Sequence, residues 1–85
     1  MYYVYIIKSI KTKGIYIGST NDLRRRFVEH NSGKSFSTKH KMPWKLIYYE
    51  AFLSEKDARE RERQLKNHGQ ANGHLKKRIA NSLKI

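Results

Sequence analysis

The chain's 85 residues carry 19 Lys and Arg against 7 Asp and Glu, a formal net charge of +12, on a length that suits a single domain, 1–85, with one small core. Such an excess repels itself unless it meets a polyanion, so nucleic acid is the expected partner; a merely solubilising surface would be served equally well by acidic residues. With no cysteine, disulfides, thiolate zinc sites and cysteine nucleophiles are excluded, and no apolar run approaches membrane-spanning length, so no membrane partner and a cytoplasmic location are expected.

Tyr2–Lys8 is dense in β-branched and aromatic residues, with Tyr3, Tyr5 and Ile7 on one face and Tyr2, Val4 and Ile6 on the other, the pattern of a well-buried strand. The polar stretch 9–13 turns the chain back into Gly14–Gly18 as an antiparallel hairpin. A four-residue loop that sets Lys8 opposite Lys13 puts Tyr5 directly opposite Tyr16, both phenols on one sheet face. Gly18, Ser19, Thr20 and Asn21 end the strand and offer caps to a helix, with Asp22 expected in its first turn. Leu23 and Phe27 define the inward stripe of that helix. At 100° per residue, Arg26 lies about 60° and His30 about 20° from Leu23, whereas Arg24 and Arg25 point elsewhere. One arginine of three is therefore aimed back toward the end of the Tyr16 strand.

Asn31-Ser32-Gly33 stops the helix, and the basic loop from Lys34 to Pro43 is read either as a mobile substrate-contacting loop or as a plain connector. Trp44–Leu53 returns to strand, with Trp44, Leu46 and Tyr48 on one face and Lys45, Ile47, Tyr49 and Ala51 on the other. Ser54-x-x-Asp57 has the form of a capping pattern for a helix running to about Asn67 and ending near Gly69. Ala58 and Leu65 mark its inward stripe, and Glu62 lies between them. A carboxylate on a buried face needs a partner. Two readings stand for Glu62, an ion pair with an arginine or a metal ligand. Residues 70–73 read as a turn, and Leu75, Ile79 and Leu83 as the stripe of a last helix with Lys76, Lys77 and Arg78 on its outer face. Tyrosines and tryptophan read mainly as core rather than as base-stacking groups. His68 and His74 flank the turn and are assigned no chemistry.

Tyr3-Val4-Tyr5, Tyr16-Ile17-Gly18, the run from Gly18 through Leu23 to Arg26, His30 four residues later and the Ala58-x-x-x-Glu62 helix together resemble a minimal GIY-YIG nuclease domain over nearly the whole chain. The resemblance implies an α+β fold, a three-stranded antiparallel sheet flanked by about three helices. It also implies hydrolysis of DNA phosphodiesters with a divalent metal, Mg²⁺ or Mn²⁺. By position, Tyr5 and Tyr16 are the motif tyrosines, Arg26 the catalytic arginine, His30 an accessory histidine and Glu62 the metal ligand. Two departures stand out. Tyr3 replaces the first motif glycine, and Asn72 is only a loose match, inside the expected turn, to an asparagine found after the glutamate in longer members.

These residue types suit the chemistry. Hydrolysis needs an activated water and neutralisation of charge on the phosphate. A hard cation takes one or two carboxylates and keeps its waters, and the planar fork of arginine clamps phosphate oxygens. A phenol with an ordinary pKa near ~10 is a poor base at neutral pH, so either tyrosine must lose its proton to its surroundings to act as one. Lys34, Lys39, Lys41, Lys76, Lys77 and Arg78 are the expected phosphate contacts. The leading expectation is a DNA endonuclease acting in repair or on branched DNA, with a protein partner supplying target specificity. The alternative is a nucleic-acid-binding module of the same fold with little activity of its own. A structural RNA-binding protein would explain the charge but not Glu62.

Overall fold

The computed structural model describes residues 1–67 and 69–85; the expectation for His68 lies outside them. Three strands, β1 (Tyr2–Ser9), β2 (Ile15–Thr20) and β3 (Trp44–Phe52), form an antiparallel sheet in the order β2-β1-β3. Helix α1 (Leu23–Asn31) follows β2, and α2 (Glu55–Lys66), α3 (Gln70–Arg78) and the single turn α4 (Ala80–Leu83) follow β3. The expected α+β architecture is present, with a fourth, very short helix.

The central strand β1 is buried on both faces, as its unbroken run of apolar residues demands. On one face Val4 and Ile6 join Ile17, and Ala58 and Leu65 of α2, Leu75 of α3 and Ile79 just beyond it cover them. On the other, Tyr5 and Ile7 join Trp44 beneath Leu23 and Phe27 of α1. The hairpin register differs from the expected one. Tyr5 pairs with Gly18 and Ile7 with Tyr16. The loop still has four residues, but the Ser9 N–H donates to the Gly14 carbonyl at 2.8 Å, so the turn occupies residues 10–13. The resulting slip of two residues preserves strand parity. Tyr5 and Tyr16 therefore keep a common face.

Other local expectations are corrected. β2 continues to Thr20, and Asp22, rather than a residue before it, is the N-cap of α1, accepting the Arg25 N–H at 3.1 Å. Ser54 occupies the N-cap position of α2 but makes no side-chain capping bond; Asp57, one methylene shorter than Glu, is poorly suited to the reciprocal reach of a capping box. In β3 the alternation breaks. Ile6 pairs with Tyr48 and Ile7 with Leu46, so Ile47 is an extra residue, and this bulge keeps Trp44 and Leu46 on the Tyr5 face while sending Tyr48 to the other. Residues 70–73 are the first turn of α3. Asn72 is buried there and donates to the Leu65 carbonyl at 2.6 Å, satisfying an open end of α2. The last helix is interrupted at Ile79, yet Leu75 and Ile79 stay buried together.

Two polar contacts pin the helical layer. The Arg61 Nε donates to both oxygens of Glu50 at 3.0 and 3.1 Å, and Tyr48 donates to the same carboxylate at 2.7 Å. The Lys8 ammonium donates to the Leu83 carbonyl, tying α4 to β1.

Candidate active site

Tyr5 lies at the middle of the middle strand, 1% exposed. Its hydroxyl crosses the second-motif glycine: a Cβ built on Gly18 would stand 2.6 Å from the Tyr5 hydroxyl and 2.8 Å from Cζ. Only glycine admits the phenol at that spot. The Tyr5 hydroxyl meets His30 Nε2 at 2.7 Å, and His30 Nδ1 meets Thr38 Oγ1 at 2.8 Å. The Tyr16 ring stands edge-on to the same imidazole, its centroid 5.2 Å away. Tyr5, His30 and Thr38 thus form one hydrogen-bonded chain through the Tyr5 face.

Arg26, one turn before His30 on α1, donates to Glu29 Oε1 at 3.0 Å and to Ser35 Oγ at 3.3 Å. Burial, then the neighbouring Tyr16 phenol, pushes the Tyr5 pKa up to about 12, although Arg26 pulls it the other way. Burial, assisted by Arg26, pushes His30 down to about 4. At neutral pH both groups are therefore uncharged, the phenol holding its proton and the imidazole having one nitrogen free to accept.

Glu62 approaches from the other side of the sheet. Ser19, opposite Val4 and so on the α2 face, donates from Oγ to Glu62 Oε1 at 2.7 Å. Lys66 closes Oε2 at 2.7 Å. No arginine takes this place; the ion-pair partner is a lysine one turn further along α2. The Lys66 ammonium also sits over the Tyr16 ring, 5.9 Å from its centroid. Because β2 is an edge strand, the cluster bends around that edge, with Tyr5, Tyr16, Arg26 and His30 on one face and Glu62 reaching from the other.

The loop from Lys34 to Pro43 is packed as well as polar. Ser35 and Thr38 are buried, residues 39–41 form a 3₁₀ turn, and the Trp44 indole donates to the Thr38 carbonyl at 3.0 Å. The Asn31 side chain holds both the N–H and the C=O of Trp44. The loop thus carries the second support of His30 and one partner of Arg26, which the plain-connector reading did not include. Thr38, Ser35 and Lys66 were given no role by sequence, and Ser19 was read only as a helix cap. Short polar residues in a polar run carry no periodicity, and only the fold shows which of them turn inward. Of the cationic residues, Lys34, Lys39 and Lys41 lie on this loop. Lys76 lines a groove with Tyr16 and Lys66, Lys77 is exposed, and Arg78 acts on Tyr48 across the other face.

A three-stranded antiparallel sheet, helices on both faces and a Tyr–His–Arg–Glu cluster at its edge strand define a small α+β domain organised around one polar centre. The GIY-YIG catalytic domain profile matches residues 1–79, and the chain belongs to that nuclease family. It is 42% identical over 65 residues to a UPF0213 protein of Streptococcus pneumoniae, covering 75% of this chain and 65% of that one. A UPF0213 protein of Clostridium perfringens is 40% identical over 67 residues, 78% of this chain and 71% of its own. The solution NMR structure of a UPF0213 protein from Bacillus halodurans matches with a TM-score of 0.52 and 31% identity, over 88% of this chain and 81% of that one. The chain spans less than two thirds of the length of the streptococcal relative. Among the described residues no helix is long and apolar enough to cross a membrane.

Proposed function

We propose that the chain is a divalent-metal-dependent DNA endonuclease, acting in repair or on branched DNA. The observation that carries this is the 2.7 Å contact between the Tyr5 hydroxyl and a neutral, buried His30, beside Arg26 and at the strand edge reached by Glu62. In this reading the attacking water gives its proton to the Tyr5 oxygen as the phenolic proton moves to His30 Nε2. The Nδ1 proton of His30 then points at Thr38. In-line displacement puts the departing oxygen on the far side of the phosphorus from this water, so that oxygen takes its proton from solvent, and His30, which binds a proton weakly, gives its own back through Tyr5 once the product has left. Tyr16, half-buried beside the same ring, positions the water. Arg26 turns its fork from Glu29 and Ser35 to the non-bridging phosphate oxygens.

Among the described residues no group of three or more His, Asp or Glu could cage a metal. The donor set instead fits a cation that keeps its waters. Glu62 is 20% exposed, and its Oε2 is held by a lysine side chain that is 49% exposed and free to swing away. Glu62 would hold Mg²⁺ or Mn²⁺ with Ser19 steering its second oxygen. Such an ion, when bound, would neutralise charge on the phosphate and acidify a water.

The test is incubation of plasmid, single-stranded and branched DNA with Mg²⁺, Mn²⁺ or chelator, beside Glu62→Gln. Metal-dependent cleavage should fall by about 100-fold or more in the variant, the size of loss typical when one charge-stabilising group is removed, with folding and DNA affinity unchanged. Cleavage by Glu62→Gln with wild-type metal dependence would sink the metal role. A second reading, a binding module with little activity, is favoured by the closure of Glu62 by Lys66 and Ser19. Tight DNA binding by the wild type without cleavage in any metal would select it.

A further inference from the structure

Tyr49 is a large aromatic residue, 53% exposed, in the middle of a strand, and the chemistry above leaves it without a task. It is the direct cross-strand partner of Tyr5, on the same sheet face one strand away. Its ring meets Tyr3, which lies two residues from Tyr5 along that face, at 6.0 Å between centroids with the planes 64° apart. Both tyrosines line a cleft of about 480 Å³ between the sheet and the N-terminal half of α1, a size within the range of ligand pockets. Phe27 adds apolar wall, and Asn21 and Arg24 bring polar groups. Asp22 also lines it, with Oδ1 already engaged by the Arg25 N–H.

We infer that this cleft receives one unpaired nucleobase of the strand whose phosphate lies at Arg26. The inference rests on the reading that this face takes a nucleic-acid strand. Aromatic walls stack on any base because every base has a π-face. The Asn21 amide offers both a donor and an acceptor to a base edge, and the exposed Arg24 supplies cation for the adjoining backbone in a chain already at +12. A base in a duplex is stacked and paired and must leave the stack to enter. The cleft therefore selects single-stranded ends, flaps and distorted sites over intact duplex, a selectivity provided by this chain's own residues. Tyr3, which stands where the family motif has glycine, is one of its three rings, with Phe27 and Tyr49.

The experiment measures binding, in chelator, of short single strands carrying 2-aminopurine and of the matching duplex, to the full chain and to Tyr49→Ala and Tyr49→Phe. Tyr49 is exposed enough for either variant to fold. The wild type should quench the 2-aminopurine and prefer the single strand. Tyr49→Ala should lose the quenching and about five- to a hundredfold in single-strand affinity, the size of one base–aromatic stack, with duplex affinity unchanged. Tyr49→Phe should retain both. Equal quenching and affinity in Tyr49→Ala would overturn the inference, as would free deoxyadenosine monophosphate binding as tightly as the strand. Cleavage assayed in parallel with Mg²⁺ separates the two proposals: quenching without cleavage refutes only the nuclease reading, and cleavage without quenching refutes only the cleft.

Discussion

A methyl group on Gly18 would collide with two atoms of the Tyr5 phenol and stand 3.1 Å from Tyr16 Cε2. Tyr5 cannot yield easily, because its hydroxyl is tied to His30 and its ring is enclosed in the core. Gly18→Ala should therefore cost about 1–3 kcal/mol by overpacking and displace the hydroxyl from the imidazole. Denaturant unfolding and cleavage, measured together, check both effects. Adding Tyr5→Phe to Gly18→Ala should restore little stability, since Cζ is nearly as close as the hydroxyl; full recovery would show that the hydroxyl alone sets the requirement. At Arg26 the same scale shows why one arginine of three is distinct. Arg25 and Arg26 share the Glu29 carboxylate, but Arg24 and Arg25 are exposed whereas Arg26 is half-buried and also reaches a serine of the neighbouring loop.

Helix α1 and the loop after it act as a pair of jaws on His30, one supplying the ring and the other the Thr38 hydroxyl. Proton linkage should make this visible. His30 titrates near 6.5 when unfolded and at about 4 when folded. Between those values the unfolded chain binds a proton that the folded chain does not, so stability falls as pH drops through this window and levels off below it. The loss from this group amounts to at most about 3.5 kcal/mol, at about 1.4 kcal/mol per pKa unit. Unfolding free energies from pH 7 to 4 should show a steeper decline for the wild type than for His30→Gln, which cannot take the proton. Parallel curves would mean that His30 is equally protonated in both states.

Charge is a property of the whole molecule, and the fold gives its cations different neighbours. Lys34, Lys39 and Lys41 stand on the loop that supports His30, and Lys76 stands beside Tyr16 and Lys66, whereas Arg78, two residues further along α3, acts on Tyr48 of β3. Binding to duplex DNA should weaken steeply with salt, at a slope of roughly −0.9 per neutralised phosphate, with slight sequence preference. Lys39→Ala and Lys76→Ala should each make that slope shallower by about one such step. Arg78→Ala should leave it unchanged. Equal effects at all three positions would show that cations act through net charge regardless of where the fold puts them.

Much of the site was legible in the chain because helix and strand periods are local. Leu23, Phe27 and His30 fall on one stripe, Arg26 on its shoulder and Glu62 between Ala58 and Leu65, and each sits where that geometry places it. The shared face of Tyr5 and Tyr16 survived a misjudged register because strand parity repeats every two residues. Beyond such periods the chain was silent. The Ile47 bulge, the helical start of residues 70–73, the inward turn of Ser35 and Thr38 and the closure of Glu62 by Ser19 and Lys66 all depend on contacts between segments far apart in sequence. Sequence by itself determined on which side of its own element each candidate residue lies, because that depends only on the local period. Tertiary structure decided that His30 of α1 reaches Tyr5 and Tyr16 on one face while Glu62 of α2 reaches Ser19 from the other, because only packing on both faces of the central strand brings side chains so far apart in sequence around one edge strand.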